Sequence, residues 1–492
     1  MRPKLELLEQ ELVERIVAEA YELLWDPGVL VYREGALKLL AEGGAIVDFE
    51  KKIAKIPQNM IEEALKTAPA SVDIYDLKGE VCLRLGQDNV YFYPGATALH
   101  LIDRVTDEYR LPVTEDLVRF IQVVEGLPQI DAQAGSLLCA DVPKMVSDSY
   151  RYYLMLLYGT KPLCGGAFSI EGWYAMKDLL AAYFGSDEAI AAKPANTMAI
   201  CPSSPLLWSD ITCQNLMDCA KWGLPAVLIS MPLAGATAPV TVAGSVVQHT
   251  AESLSGVVIH QLVNPGAPII YGGSPAMFEM REGTTPMGSI ETVMINCAYT
   301  QVGKYLGLPT HGYVGLSDAK IVDAQAGLES AMGVVLGALA GINLICGAGM
   351  SDFESGLSFE KVVIDAEVIG MAKRLLAGVE TREESLATAL MREVGHHGNF
   401  LATEHTRRWF REEQYIPSAV IDRASQNIWE NRGAKNIVQR ARERAKALIA
   451  EYEPPEVPAE VRKELKAVMT RAAKQYGMDA LPPLPEPLQS WC

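Results

Sequence analysis

The chain has 492 residues, 49% hydrophobic and 21% charged, with a net charge of −18 and a pI near 5.0. That length and apolar content suffice for a large core, and the acidic balance excludes a general nucleic-acid binder, whose phosphate contacts need clustered Lys and Arg. The opening MRPKLELLEQELVERIV is charged, without the apolar run of a secretory signal, and the longest apolar stretch, 331–346, is broken by Gly and Asn before it reaches the ~20 residues of a membrane span. The expectation is a cytoplasmic enzyme of small neutral or cationic substrates, with no nucleic-acid or membrane partner.

Residues 9–25, 33–42 and 57–66 carry apolar residues three and four apart and are predicted as helices, which makes 1–88 an N-terminal helical extension. Then the rhythm changes. Short apolar runs at 90–94, 130–135, 162–168, 196–201, 225–230, 268–273, 309–314 and 343–347 alternate with helical periodicity at 115–126, 146–158, 170–184, 209–222, 243–263, 289–306, 323–341 and 359–376. Four of the runs begin at a proline (Pro162, Pro225, Pro268, Pro309), which stops a helix and is tolerated at the first residue of a strand. Alternation of this kind predicts an α/β fold with a parallel sheet, and eight units predict a closed (β/α)8 TIM barrel over 89–376. The alternative is an open doubly wound sheet. Its first strand would more often be followed by a phosphate-binding glycine fingerprint, and PGATALH at 94–100 is not one. Past 377 the alternation stops, and helices are predicted at 382–393, 402–412, 417–452 and 458–477, a C-terminal helical extension over 377–492 with an extended Pro-rich tail.

Nine cysteines are scattered without a CxxC pair, which predicts reduced, mostly buried thiols. HExxH, P-loop and GxSxG patterns are missing, so neither a metal site nor a catalytic triad is expected. In a barrel the chemistry sits where strands end. Those positions hold Tyr93, Thr97, Phe168, Ser203, Ser204, Trp208, Met231, Tyr271, Ser274, His311, Tyr313, Ser317, Asp318, Lys320, Ser351, Asp352, Phe353 and Glu354. The set is aromatic, hydroxylated and acidic, and Lys320 is its one cation. Aromatic faces attract quaternary ammonium by ~0.5–2 kcal/mol each, and carboxylates add Coulomb attraction, so the composition favours a cationic organic ligand over a phosphorylated one. Each residue also has a plain structural reading: aromatic packing, solvated loop acids at Asp352 and Glu354, a structural imidazole at His311, and a local ion pair of Lys320 with Asp318 or Asp323.

Three segments carry a resemblance: GLSDAKIVDAQAGLESAMGVVLGALAGINLICGAGMSDFESGLSFEKVVIDAE, the opening RPKLELLEQELVERIVAEAYELL and the late GNFLATEHTRRWFREEQYIP. They resemble the trimethylamine methyltransferase family. The resemblance implies a (β/α)8 barrel that moves a methyl group from an amine to the Co(I) of a corrinoid (cobalamin) carried by a separate small protein, from which a second enzyme passes it on in one-carbon metabolism. The founding members place pyrrolysine in the barrel mouth. This chain has none, so it is similar to the non-pyrrolysine branch, which demethylates quaternary amines such as glycine betaine, proline betaine and carnitine. On that reading, with glycine betaine leading, Tyr93, Trp208, Tyr271, Tyr313 and Phe353 are candidate cage walls. His311, Lys320 and Gln325 are candidates for a substrate carboxylate, and Asp318, Asp352 and Glu354 for tuning the cation's field. The alternatives are trimethylamine as substrate, or a catalytically silent betaine-binding protein. Assembly of identical chains is expected on general grounds.

Overall fold

A computed structural model describes residues 2–103, 106, 108–383 and 385–485. Three N-terminal helices, Gln10–Trp25, Glu34–Glu42 and Gln58–Thr67, occupy the predicted positions. The region is not purely helical. The short strands Val29–Val31, Ile46–Asp48 and Ile53–Lys55 form a sheet that Leu207–Trp208 joins, and Val72–Tyr75 pairs antiparallel with Val81–Leu85. These strands are three to five residues long, too short to show a period of two in the sequence.

The central region alternates as expected. Leu163–Gly165, Asn196–Ile200, Ala226–Leu228 and Ile269–Ile270 form one parallel sheet, in sequence order across it. His311–Tyr313, Leu344–Ala348 and Tyr91–Pro94 form another, also parallel. Backbone bonds link the two. Tyr271 N donates to Pro309 O (2.9 Å) and His311 N to Tyr271 O (3.0 Å). On the far side Gln133 N donates to Pro162 O (2.8 Å), Cys164 N to Gln133 O (2.7 Å) and Asp131 N to Phe92 O (2.7 Å). The 130–135 run is the weakest of the eight: it contributes a single bridge, Gln133 to Leu163, rather than a strand. Its neighbours explain this, since Gly135 has φ 55° and Asp131 spends its carboxylate on Phe92 N (2.8 Å) and Lys373 (2.8 Å).

The helices follow the strands because serine and aspartate stop them from fraying. Ser169, Ser209, Ser289, Asp323 and Ser358 each accept a hydrogen bond from a first-turn N–H of the helix they begin. At Gly333, in Ala324–Ala340, an added Cβ would lie 1.6 Å from Val314 O, so this helix reaches the sheet only where no side chain intervenes. The helix Phe359–Ala377 buries Lys361, which pairs with Asp365 (2.7 Å) and donates to Ser330 Oγ (2.6 Å).

The C-terminal region departs further from expectation. The predicted 417–452 helix is two, Gln426–Asn431 and Ile437–Ala450, separated at Gly433 (φ 93°), and the 382–393 helix begins only at Thr388. Asn436 and Gln439 form a capping box that restarts the second helix, a local signal that a purely apolar pattern passes over. The end of the expected tail, with Cys492, lies outside the described residues. No described helix is long and apolar enough to cross a membrane.

Candidate active site at the strand ends

A cavity of about 440 Å3 lies at the carboxyl ends of the parallel strands, lined by residues of both sheets. Tyr93, Thr97, Phe168, Met231, Ser274, Tyr313 and Glu354, all at predicted strand ends, share its wall. Gly166 belongs to it too, and a Cβ there would lie 2.6 Å from Ala199 O, so only glycine keeps this wall flat.

One side is aromatic and acidic. Tyr93 and Tyr313 sit on strands that flank Leu344–Ala348. Tyr93 Oη is 2.8 Å from His311 Nε2, and Tyr313 Oη accepts from Ala96 N (2.8 Å). Burial pushes both phenols well above their ordinary range, so they stay neutral and present ring faces and dipoles, not charge. Glu354 comes from the tip of the hairpin that pairs Met350–Ser351 with Gly356–Leu357. Asp352, Phe353 and Glu354 have φ of 49°, 53° and 69°, three successive non-glycine residues in the left-handed region, at ~1–2 kcal/mol each. The turn is held by Asp352 N donating to Ala319 O (3.1 Å) and Ser355 N to Asp352 O (2.9 Å). Burial pushes the Glu354 carboxyl up to about 7; a bond from Ser274 Oγ (3.2 Å) offsets this in part, and Asp318 adds to it.

Glu252, another buried acid of this region, shows what a structural carboxylate looks like. It accepts from Ser204 Oγ (2.9 Å), Leu206 N (3.1 Å), Ser230 Oγ (2.6 Å) and Gln248 Nε2 (2.9 Å). Among the described residues Glu354 has the single donor Ser274, and it lines the open volume, so its carboxyl is available to a ligand.

The cavity wall also carries a cation that strand-end reading passes over. Arg151, in the helix Ser147–Tyr158, is 2% exposed and lines the cavity. Its Nη1 donates to Gly135 O (3.2 Å), its guanidinium lies 5.4 Å from the Phe168 ring centroid, and its Nε has no hydrogen-bond partner among the described residues. Burial lowers its pKa, while Asp148 one turn earlier opposes the shift; the Asp148 carboxylate already accepts from Ser149 N (2.6 Å) and Phe168 N (2.8 Å). Asn215 lines the cavity as well, with Oδ1 unpartnered. The signal for Arg151 was present: it interrupts SDSYRYYLMLLY, a helix otherwise rich in aromatic and aliphatic residues.

The remaining predicted residues lie elsewhere. Trp208 is buried with Nε1 donating to Ser255 Oγ (2.8 Å), and Tyr271 Oη meets Thr250 Oγ1 (3.0 Å); both partners belong to the helix Val242–Val263, outside the sheet. Tyr271 bridges Thr310, one position out of step with His311 and Tyr313, and so faces the helices rather than the cavity. His311 is buried and neutral, its pKa lowered to about 3 by burial; it orients Tyr93 rather than offering a charge. Lys320 is over half exposed, 3.8 Å from the Phe353 ring centroid and 3.5 Å from Asp352, so these three form a rim cluster of their own. Gln325 donates to Glu329 Oε1 (2.9 Å) on the exterior. Asp318 clamps the 286–288 loop, accepting from Met287 N (2.8 Å) and Gly288 N (2.9 Å), with burial raising its pKa to about 6.

The cavity holds no activated thiol. Cys201 lines it, and burial beside Glu354 pushes its thiol up to about 12. Among the described residues no cluster of His, Cys, Asp and Glu could hold a metal ion, and the eight described cysteines are unpaired.

Residues 1–477 match the family model described as Trimethylamine methyltransferase (MTTB). The chain belongs to the trimethylamine methyltransferase family. Family membership makes it a methyltransferase. The chain is 31% identical over 457 residues to a trimethylamine methyltransferase of Desulfitobacterium hafniense, covering 93% of this chain and 92% of that protein. It is 29% identical over 477 residues to a glycine betaine methyltransferase of another strain of that species, covering 96% and 98%. Among solved structures it is similar to the monomethylamine methyltransferase of Methanosarcina barkeri, with a TM-score of 0.52 over 96% of this chain and 89% of that one at 11% identity, a likeness of fold.

Proposed function

We propose that the eight parallel segments close into a (β/α)8 barrel, and that its mouth demethylates a quaternary amine, glycine betaine first, handing the methyl group to the Co(I) of a corrinoid on a separate protein. The carrying observation is the cavity itself: two neutral tyrosine faces and one under-bonded carboxylate, Glu354, around a volume of about 440 Å3. That environment suits a permanent cation. The closure reading is supported by the backbone bonds that join the two sheets through 271–311 on one side and through 92–131 and 133–164 on the other. The rim supports a broad apolar visitor, since Phe168, Met231 and Ile211 at the mouth are 45%, 43% and 40% exposed.

The Co(I) corrinoid supplies the nucleophile for an in-line displacement at methyl carbon. The protein's part is then orientation and exclusion of water. A quaternary ammonium leaves as a neutral amine, so no general acid is required, and none of the cavity groups has to move a proton. Charge on nitrogen fades toward the transition state, so a carboxylate gripping the cation too tightly would oppose reaction. Glu354, with its pKa near 7, is a weak holder of this kind, and the tyrosine faces hold by quadrupole rather than by net charge.

The test is incubation with a Co(I) corrinoid protein and a panel of glycine betaine, proline betaine, carnitine and trimethylamine. Loss of the Co(I) absorbance together with release of dimethylglycine from glycine betaine is expected. Turnover of trimethylamine alone would replace the substrate, and no turnover of any member would overturn the reading.

A further inference from the structure

Resting on the quaternary-amine reading, we infer that Arg151 is the specificity-determining residue of the cavity: it anchors a carboxylate on the substrate, so the site selects a short zwitterion over a plain cation. A guanidinium that is 2% exposed is expensive to desolvate, and buried charges are ordinarily paired. Among the described residues Arg151 has a single carbonyl, Gly135 O at 3.2 Å, and leaves Nε without a partner. The nearest acid on its own helix, Asp148, already serves two backbone N–H groups. The Phe168 ring stacks near the guanidinium and adds a face but no hydrogen bond. The donors of this side chain are thus incompletely used, on the wall of a cavity whose other charged group is Glu354.

The two groups keep separate local partners, Gly135 for one and Ser274 for the other. A ligand carrying a trimethylammonium at one end and a carboxylate at the other would complete both, and Arg is the side chain best shaped to take a carboxylate through two N–H donors. Fixing that end also fixes which way the methyl groups point. Arg151 therefore acts by positioning and selection, while Lys320 and Gln325, bonded on the rim and the exterior, take no part.

The experiment is calorimetry on the full chain alone with three probes: glycine betaine, its methyl ester and tetramethylammonium. Wild type is expected to bind glycine betaine about tenfold or more tighter than the ester, the scale of a charge-assisted bond. Arg151→Met should erase that preference and leave tetramethylammonium within about twofold, and Arg151→Lys should restore part of it. The wild-type comparison of acid with ester stands even if a variant melts early. Equal binding of acid and ester by wild type overturns the proposal while the quaternary-amine reading survives. Equal losses for all probes in Arg151→Met, a structural effect, also overturn it. Failure of wild type to bind any of the three overturns both.

Discussion

The two sides of the cavity are built differently. The aromatic, acidic side comes from strand ends and one hairpin, and its phenols are already hydrogen-bonded: Tyr93 to His311, Tyr313 to Ala96. The basic side comes from helices, and there Arg151 Nε and Asn215 Oδ1 have no partner. Among the described residues the phenols are satisfied, while Glu354 keeps bonding capacity on the first side as Arg151 does on the second. Buried polar atoms left over on a cavity wall call for an explanation, and on the proposed reading it is the polar end of the ligand.

The contrast can be broken in four ways, of decreasing size. Tyr313→Ala removes a buried ring and its bond to Ala96 on the aromatic side, and should destabilise the chain by about 3 kcal/mol in urea unfolding, whereas Tyr313→Phe should cost about 1 kcal/mol and keep cation binding. Glu354→Gln should weaken tetramethylammonium about tenfold above pH 8, on the order of one charge-assisted contact, and make no difference below pH 6, where the wild-type carboxyl with its pKa near 7 is protonated. Stability carries the matching sign. The folded pKa lies above the ordinary 4.5, so the native state takes up the proton more readily; the benefit is full below the unfolded value and is lost as pH rises toward 7. Glu354→Gln should lack that slope in melts taken between pH 4 and 8.

Trp208→Phe, on the outer face, should lose about 1 kcal/mol of stability with its bond to Ser255 and leave ligand affinity within about twofold. Lys320→Ala should change stability by less than about 0.5 kcal/mol and affinity by less than about twofold, since its charge is over half exposed at the rim. A large loss of betaine affinity in Lys320→Ala would move the carboxylate subsite from Arg151 to the rim.

Much of the fold was legible in the sequence because its punctuation is local. Proline before a strand and apolar spacing along a helix mark starts that the structure keeps within a residue or two, as for the helices predicted at 170–184, 209–222, 289–306 and 359–376. Where the punctuation is backbone geometry, as at Gly433, or a hydrophilic capping box, as at Asn436, one long helix was expected and two are found. In the candidate site, strand-end logic reached Tyr93, Tyr313 and Glu354. It misplaced Tyr271 because a strand alternates faces, and a shift of one residue turns an inward side chain outward. It missed Arg151 because that residue reaches the cavity from the helix Ser147–Tyr158, not from the end of a strand. Only its cost of burial in SDSYRYYLMLLY announces it.

The hairpin tip has a consequence for how the acid is delivered. Three side-chain-bearing residues in a row, Asp352, Phe353 and Glu354, hold a backbone shape they would leave if released. The Asp352–Ala319 bond therefore helps fix where the Glu354 carboxylate sits. On the proposed reading, a bound cation would act on the same carboxylate that this cramped turn delivers.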